Sequence, residues 1–551
     1  MGINAISITL IFVFPLVFLS WAYFYWDKKI NFIIIKTPLV ISFFLLPLCF
    51  FPAKWDDEFA YPAHLPIVYV ENGELFISIY QSFFSGLFDS AISASTSLFY
   101  VFESTFLLRF FNLIIVFLIS CFFSKLFFDL KINKKQQFIF WLTIFSIPIF
   151  SAKLLIIKND MFGAYLILSI FYFLIYLKSY KNTYLFDKFR LIGYSCFALL
   201  TTIKPVFLIS AIPILFYYIY LIYLNDKNLT KIVINLLLLF FISLFFISPW
   251  IYRSYFYTGQ PFFPYINLPF FDFNFNNSGK DDLDFFMNAM KVHHSVFKDW
   301  NFLNGTLFGF FSIILKSFSY IYFFSIFSLF FVKNKTSFYF TLLMLVYLFL
   351  FCFWTGRYWI GIILVVTFIL FQNFHNLKPL IKKFFYILLP INLIGASFIY
   401  FKIFLFPSFT YLFYGADTFL NVHVGMLEND KLINYLNENA KNSTILIDNL
   451  ILAHLDKSIS KYSWNQLNIH PFNNRKYPEF KQAIYDNKIK YIIFAHDSWS
   501  GYLKAGAIFD KGLLIKSYFE NNYKNLIQLE EDGIAEYRFT FGRSSVYEIV
   551  Y

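Results

Sequence analysis

A chain of 551 residues that is 59% hydrophobic, 24% aromatic and only 14% charged does not have the balance of a soluble globular domain. Its net charge of +12 would suggest nucleic acid in a soluble protein, but here the lysines and arginines cluster in short segments between apolar runs. The charge therefore reads as membrane topology, and nucleic acid is set aside as a partner.

The 84 Phe and 40 Tyr, with abundant Ile, Lys and Asn, read as the output of an AT-rich genome, so aromatic stripes as such are given no role. Cys49, Cys121, Cys196 and Cys352 stand in or at the edge of apolar runs and supply neither a disulfide framework nor a CxxC metal site. A span needs roughly 20 apolar residues, fewer in a hairpin or before a break. On that basis twelve are predicted, at about 5–26, 37–53, 104–124, 137–152, 161–177, 191–203, 205–224, 232–249, 303–331, 338–354, 359–371 and 384–406. No Ala-x-Ala cleavage site follows the first run, which reads as a retained span.

Basic residues mark alternate connections: Lys28, Lys29 and Lys36; Lys125, Lys131, Lys134 and Lys135; Lys178, Lys181, Lys188 and Arg190; Lys227 and Lys231; Lys333 and Lys335; Lys378, Lys382 and Lys383. These read as cytoplasmic, with the N-terminus outside. The outer side then holds the acidic stretch after Ala53, the turn Lys153 to Asp160, the break at Lys204-Pro205, the long loop 250–302, the turn at Gly356-Arg357-Tyr358, and everything from about Pro407. No internal repeat is present and few charges fall within the spans, which argues against a transporter with a midplane site.

The first outer loop, 54–103, opens with Asp56-Asp57-Glu58, directly after hydrocarbon, and carries an amphipathic stretch at 75–84 that suits the membrane interface. Beyond Pro407 the pattern changes. Met426 to Lys441 reads as a helix, Thr444 to Leu450 and Tyr491 to Ala495 as strands, and Glu536 to Val550 as a terminal hairpin, together a small outer α/β domain.

The chemistry to be expected follows from what shares the outer side. Asp57 and Glu58, with Asp56, supply carboxylates; Asp160 supplies another at the mouth of the fifth span; Lys204 is a cation at a break that Pro205 enforces. Arg357, beside Tyr358, offers a bidentate fork. Each cation taken alone is accounted for by snorkelling to headgroups. As a set, a carboxylate base and a cationic clamp suit transfer of a group from a phosphate ester to a hydroxyl. The adjacent His293 and His294 would point about 100° apart on a helix, so no metal is assigned to them. His496-Asp497, after a strand, reads as a polar loop pair.

These residues resemble the motifs of the GT-C superfamily of membrane glycosyltransferases, notably bacterial members related to protein O-mannosyltransferases and the lipid A aminoarabinose transferase. Asp57-Glu58, followed by Tyr61, His64, Leu65 and Pro66, resembles the family's Asp-Glu motif; Asn159-Asp160 its second acidic site; Lys204 a basic residue after its next span. Pro249-Trp250-Ile251-Tyr252-Arg253 with Thr258-Gly259-Gln260-Pro261 resembles the segment that opens a later outer loop, and Gly356-Arg357-Tyr358 the Arg-Tyr turn. Asp56 before the pair, Pro62-Ala63 within it, and the span 5–26 depart from the pattern, and the Trp-Trp-Asp-Tyr-Gly signature of oligosaccharyltransferases is missing.

The resemblance implies a polytopic α-helical membrane protein of about twelve spans with a small C-terminal α/β extracytoplasmic domain, in a bacterial cytoplasmic membrane. Residues 1–36 add an N-terminal span and loop, 37–410 form the catalytic region, and 411–551 the outer domain. It implies a polyprenyl-phosphate sugar donor, a lipid, glycan or protein acceptor, and a divalent cation only in some branches. Asp57 and Glu58 would be catalytic, with Asp56, Tyr61, His64, Asp160, Lys204, Arg253, Arg357 and Tyr358 binding substrate. The alternatives are a flippase or exporter of lipid-linked saccharide, or a glycan polymerase or ligase.

Overall fold

A computed structural model describes residues 32–50, 105–147, 150, 154, 160–179, 188–203, 205–226, 229–261, 269–270, 342–343, 360–372, 374, 377–401, 413, 427–447, 455–456, 458–463, 476–495, 511–541 and 544–551. The predicted spans 5–26 and 303–331, nearly all of 338–354, the stretch 75–84, the residues His293-His294 and the pair His496-Asp497 lie outside them.

The apolar runs form helices α1 (Phe32–Leu45), α2 (Thr105–Asp129), α3 (Lys134–Phe145), α4 (Asp160–Ser179), α5 (Lys188–Ile203), α6 (Pro205–Asp226), α7 (Leu229–Thr258), α8 (Ile360–Gln372) and α9 (Pro379–Tyr400). A 3₁₀ turn, Leu46–Phe50, extends α1. Among the described residues α2, α7 and α9 are long and apolar enough to cross a bilayer, and α1, α4, α5, α6 and α8 supply shorter apolar stretches. Large apolar side chains on α7 and α9, such as Phe240, Phe241, Ile394 and Phe398, face outward, as hydrocarbon surroundings permit.

Ring contacts give the helix directions. Phe111 packs on Phe162 and Phe122 on Tyr172, with centroids 5.9 and 5.4 Å apart, so α2 and α4 run parallel. Gly361 abuts Ala164 and Ile167 while Phe368 packs 6.3 Å from Phe171, so α8 runs parallel to α4 as well. Phe207 lies against Gly163 and Tyr218 lies 6.0 Å from Phe173, which gives α6 the same sense. Helix α5 is antiparallel, since its start, at Gly193 and Tyr194, meets Phe173. Four helices therefore begin at one end of the bundle, the end of Asp160. That alternation is the one the basic loops prescribe.

The close approach of α8 to α4 depends on Gly361. A Cβ there would lie 2.8 Å from Ala164 Cα, a backbone atom that cannot step aside. Small residues at such crossings let helices meet closely where lipid supplies no hydrophobic drive.

At the opposite end a polar group locks α5, α6 and α7. Tyr194 donates to Asn235 Oδ1 at 2.5 Å and is hydrogen-bonded to Tyr218; Arg190 Nη1 donates to the same oxygen at 3.3 Å, and Asn235 Nδ2 donates to Lys231 O at 2.7 Å. Arg190, read from sequence as a loop charge, is thus a buried member of α5, where Asn235 satisfies part of its fork. Asn235→Ala is expected to lower stability by about 1–3 kcal/mol through the donors it orphans. Thermal unfolding in detergent checks this, with Asn235→Asp losing less because it keeps an acceptor for Arg190.

Helix α7 corrects the expected start of the outer loop at Trp250, because Pro249 lies inside the helix and the helix continues to Thr258. Proline removes the hydrogen bond that Phe245 O would accept. Ser248 Oγ donates to that oxygen at 2.8 Å and replaces it, the kind of local repair that makes proline tolerable in membrane helices. The actual stop is Gly259, with φ +72°, whose N–H donates to Tyr255 O at 2.8 Å.

In the C-terminal region, α10 (Leu427–Asn439), β1 (Thr444–Ile447), β3 (Ile489–Ala495), and the hairpin of β4 (Ala535–Phe541) and β5 (Ser544–Ile549) stand where the hydrophobic pattern places a helix, two strands and a hairpin. The structure adds β2 (Ser460–Ser463), α11 (Tyr477–Asp486) and α12 (Lys511–Glu531). The sheet order is β2-β1-β3-β5-β4, parallel over the first three strands and antiparallel over the last two pairs. Ile445, Ile447 and Ile493 pack under α10, whereas Leu446, Ile492 and Phe494 pack under α11 and α12, so the sheet is covered on both faces.

Tyr477 donates to Asp532 Oδ2 at 2.5 Å and Lys481 lies 3.5 Å from the same oxygen. The hydrogen bond from Tyr477, then that from Gln528, holds the Asp532 carboxyl below its ordinary value of 3.8. A depressed carboxylate contributes stability above the unfolded value and loses it as pH falls through the lower folded one. Asp532→Asn is therefore expected to flatten the fall in stability below about pH 4, read by thermal unfolding of the whole protein across that range.

Candidate active site at the shared helix ends

Asp160 is the first residue of α4 and is 3% exposed. A carboxylate suits a helix N-terminus, where free N–H groups and the helix dipole favour negative charge. Its Oδ2 is nonetheless buried and, among the described residues, has no hydrogen-bond partner. Such an atom costs stability unless a partner satisfies it.

Around it the helix starts converge. Gly163, one turn below Asp160, receives the Phe207 ring from the first turn of α6, and Ala164 receives Gly361 from the first turn of α8. Phe162 receives Phe111 from the early part of α2. Helices α5 and α6 meet at residue 204, with Ile203 ending one and Pro205 opening the other. Proline at the first helical position needs no N–H, which is why the second helix can restart at once.

Arg109, which the sequence reading passed over, is 4% exposed in the second turn of α2, and Asn112, three residues on, is 2% exposed. The 3₁₀ turn after α1, which carries Cys49, packs on α2. A signal was present: no other charge stands between Thr105 and Ser124, and a lone ionisable residue within an apolar run is a functional candidate by default. The expectation of few charges in the spans overlooked it.

Of the residues proposed from sequence, Asp160 is thus at the mouth of its helix and buried. Arg253 lies in the penultimate turn of α7, with its side chain outside the described residues. Beyond it, Ser254 Oγ donates to Gln260 O at 2.9 Å, and both residues are buried, so the Thr258-Gly259-Gln260-Pro261 segment folds back on the helix it ends. Asp56, Asp57, Glu58, Tyr61, His64, Lys204, Arg357 and Tyr358 lie outside the described residues.

No protein-family model and no curated protein sequence matches the chain. Among solved structures it is similar to ArnT from Cupriavidus metallidurans, a structure bound to undecaprenyl phosphate, at 10% identity and a TM-score of 0.53, over 94% of this chain and 97% of that one. It also matches the Archaeoglobus fulgidus oligosaccharyltransferase, a complex with zinc and sulfate, at 11% identity and a TM-score of 0.47, over 89% of this chain and 70% of that one. The chain has the fold of that ArnT structure, in keeping with the GT-C fold that the sequence motifs resemble.

Proposed function

We propose that the chain is a membrane glycosyltransferase that moves a sugar from a polyprenyl-phosphate carrier to an acceptor hydroxyl on the outer face of a bacterial cytoplasmic membrane. The observation that carries this reading is the convergence of the first turns of α4, α6 and α8 around a buried carboxylate. In the sequence those turns are introduced by Asp160 itself, by Lys204 and by Arg357-Tyr358. In this reading the cations Lys204 and Arg357, which precede two of those turns in the sequence, act together with Asp160.

In this reading Asp57 removes the proton of the acceptor hydroxyl as the new bond forms between that oxygen and the anomeric carbon. The bond from the anomeric carbon to the phosphate oxygen breaks, and polyprenyl phosphate leaves. Lys204 and Arg357 neutralise the charge that develops on that phosphate, with Arg357 suited to a bidentate grip. Glu58, Asp56, Asp160, Tyr61, His64, Arg253 and Tyr358 position donor or acceptor. The resemblance implies a divalent cation only in some branches, and none is given a step here. The fold of ArnT supports the reading, as does the undecaprenyl phosphate in that structure. The C-terminal region, from residue 411, lies on the outer side in the orientation set by the basic loops.

The test is reconstitution of purified protein with synthetic polyprenyl-phosphate sugars and a panel of lipid, glycan and peptide acceptors. A new glycosidic bond, lost when the donor lacks its phosphate, is expected. Movement of a lipid-linked saccharide across the bilayer without bond formation would replace the proposal with an exporter.

A further inference from the structure

We propose that Arg109 is a further cation of this site, a guanidinium that holds an oxyanion at the Asp160 end of the bundle. Arg109 does not snorkel: at 4% exposure its head group is inside the protein and away from the surrounding solvent or lipid. A guanidinium in such surroundings is costly unless an anion and hydrogen bonds compensate it, and Arg is the side chain whose fork best does so bidentately.

Its level in the bundle is fixed by packing. Phe111, two residues after Arg109, touches Phe162, two residues after Asp160, between parallel helices. The buried cation and the buried carboxylate oxygen, which has no partner among the described residues, therefore sit at one height, at the end where α6 and α8 also begin. Asn112 adds a second buried polar side chain at i+3, on the same face of α2. The 3₁₀ turn Leu46–Phe50 also packs on α2, the helix of Arg109. A role in helix packing alone would be served by an apolar residue, as it is at nearly every neighbouring position of α2.

Two sources supply the same oxyanion chemistry: a carboxylate of the Asp56-Asp57-Glu58 run, or the phosphate of a lipid carrier. The second source rests on the glycosyl-transfer reading, and the first does not. The experiment uses full-length protein in detergent, with Arg109→Met and Arg109→Lys, each alone and combined with Asp56→Asn, Asp57→Asn or Glu58→Gln. Its readouts are the unfolding midpoint and the affinity for undecaprenyl phosphate.

If the lipid phosphate is the anion, Arg109→Met weakens binding by about tenfold or more and Arg109→Lys recovers part of it. If a carboxylate is the anion, Arg109→Met lowers the midpoint, and that loss disappears once the partner acid is neutralised. Either outcome supports the proposal and names the source. Lipid affinity equal to wild type, together with midpoints that are unchanged or strictly additive with all three acids, would overturn it. Should wild type itself fail to bind undecaprenyl phosphate, the donor reading fails, while the carboxylate cycle still judges Arg109.

Discussion

Asp57→Asn is expected to lower sugar transfer by about 10²–10⁴-fold, the range that a positioned general base contributes. The substitution keeps the size of the side chain and one acceptor oxygen but removes the capacity to take a proton at neutral pH. Donor affinity should change little, because the proposed mechanism assigns the phosphate to Lys204 and Arg357, so the loss should fall in kcat rather than KM. Glu58→Gln is expected to cost less if Asp57 is the base. Membrane levels and unfolding midpoints of both variants separate a chemical effect from a folding one. Full activity in both would remove this mechanism.

Gly361→Val has the largest expected effect on the fold. The position opposite is not a side chain that rotates away but Ala164 Cα, with Ile167 Cβ 2.9 Å from where the first added carbon would lie. Valine adds two further methyl groups to a space too small for one. Overpacking of this kind costs about 1–3 kcal/mol where neighbours can shift, and more where backbone must. Separation of α8 from α4 also moves the start of α8 away from Asp160, so surviving protein should bind the lipid carrier less well. Fluorescence-detected size exclusion after heating reads the stability, and a midpoint equal to wild type would show that the crossing is looser than described.

Local signals located most of the helices. The Lys204-Pro205 break needed only the missing N–H of proline, and Asp160 at the mouth of its span needed only the end of an apolar run. Helix direction followed from charge alternation, and the parallel sense of α2, α4, α6 and α8 agrees with it. What could not be read was the register between helices. Nothing in the string around Gly361 says that Ala164 will be its neighbour, and nothing around Gly163 names Phe207. Those contacts set how closely the starts of α4, α6 and α8 pack.

Two boundaries differ from the sequence reading. The outer loop was expected to begin at Trp250, but Ser248 replaces the hydrogen bond lost at Pro249 and Gly259 stops the helix. Arg190 was counted as a loop charge, and it is instead buried with Asn235. In the C-terminal sheet, the continuous apolar runs of β1 and β3 were legible because both faces are covered. Strand β2, a polar four-residue edge strand of sequence Ser-Lys-Tyr-Ser, carries no such pattern.

The central claim is that a lipid phosphate is held where the helix starts converge, and binding of undecaprenyl phosphate to the purified full-length protein tests it most directly. The account predicts specific binding that weakens by about tenfold or more in both Lys204→Ala and Arg357→Ala, the cost of losing one charge-assisted contact. No binding, or binding indifferent to both substitutions, would contradict it and leave those cations as headgroup anchors.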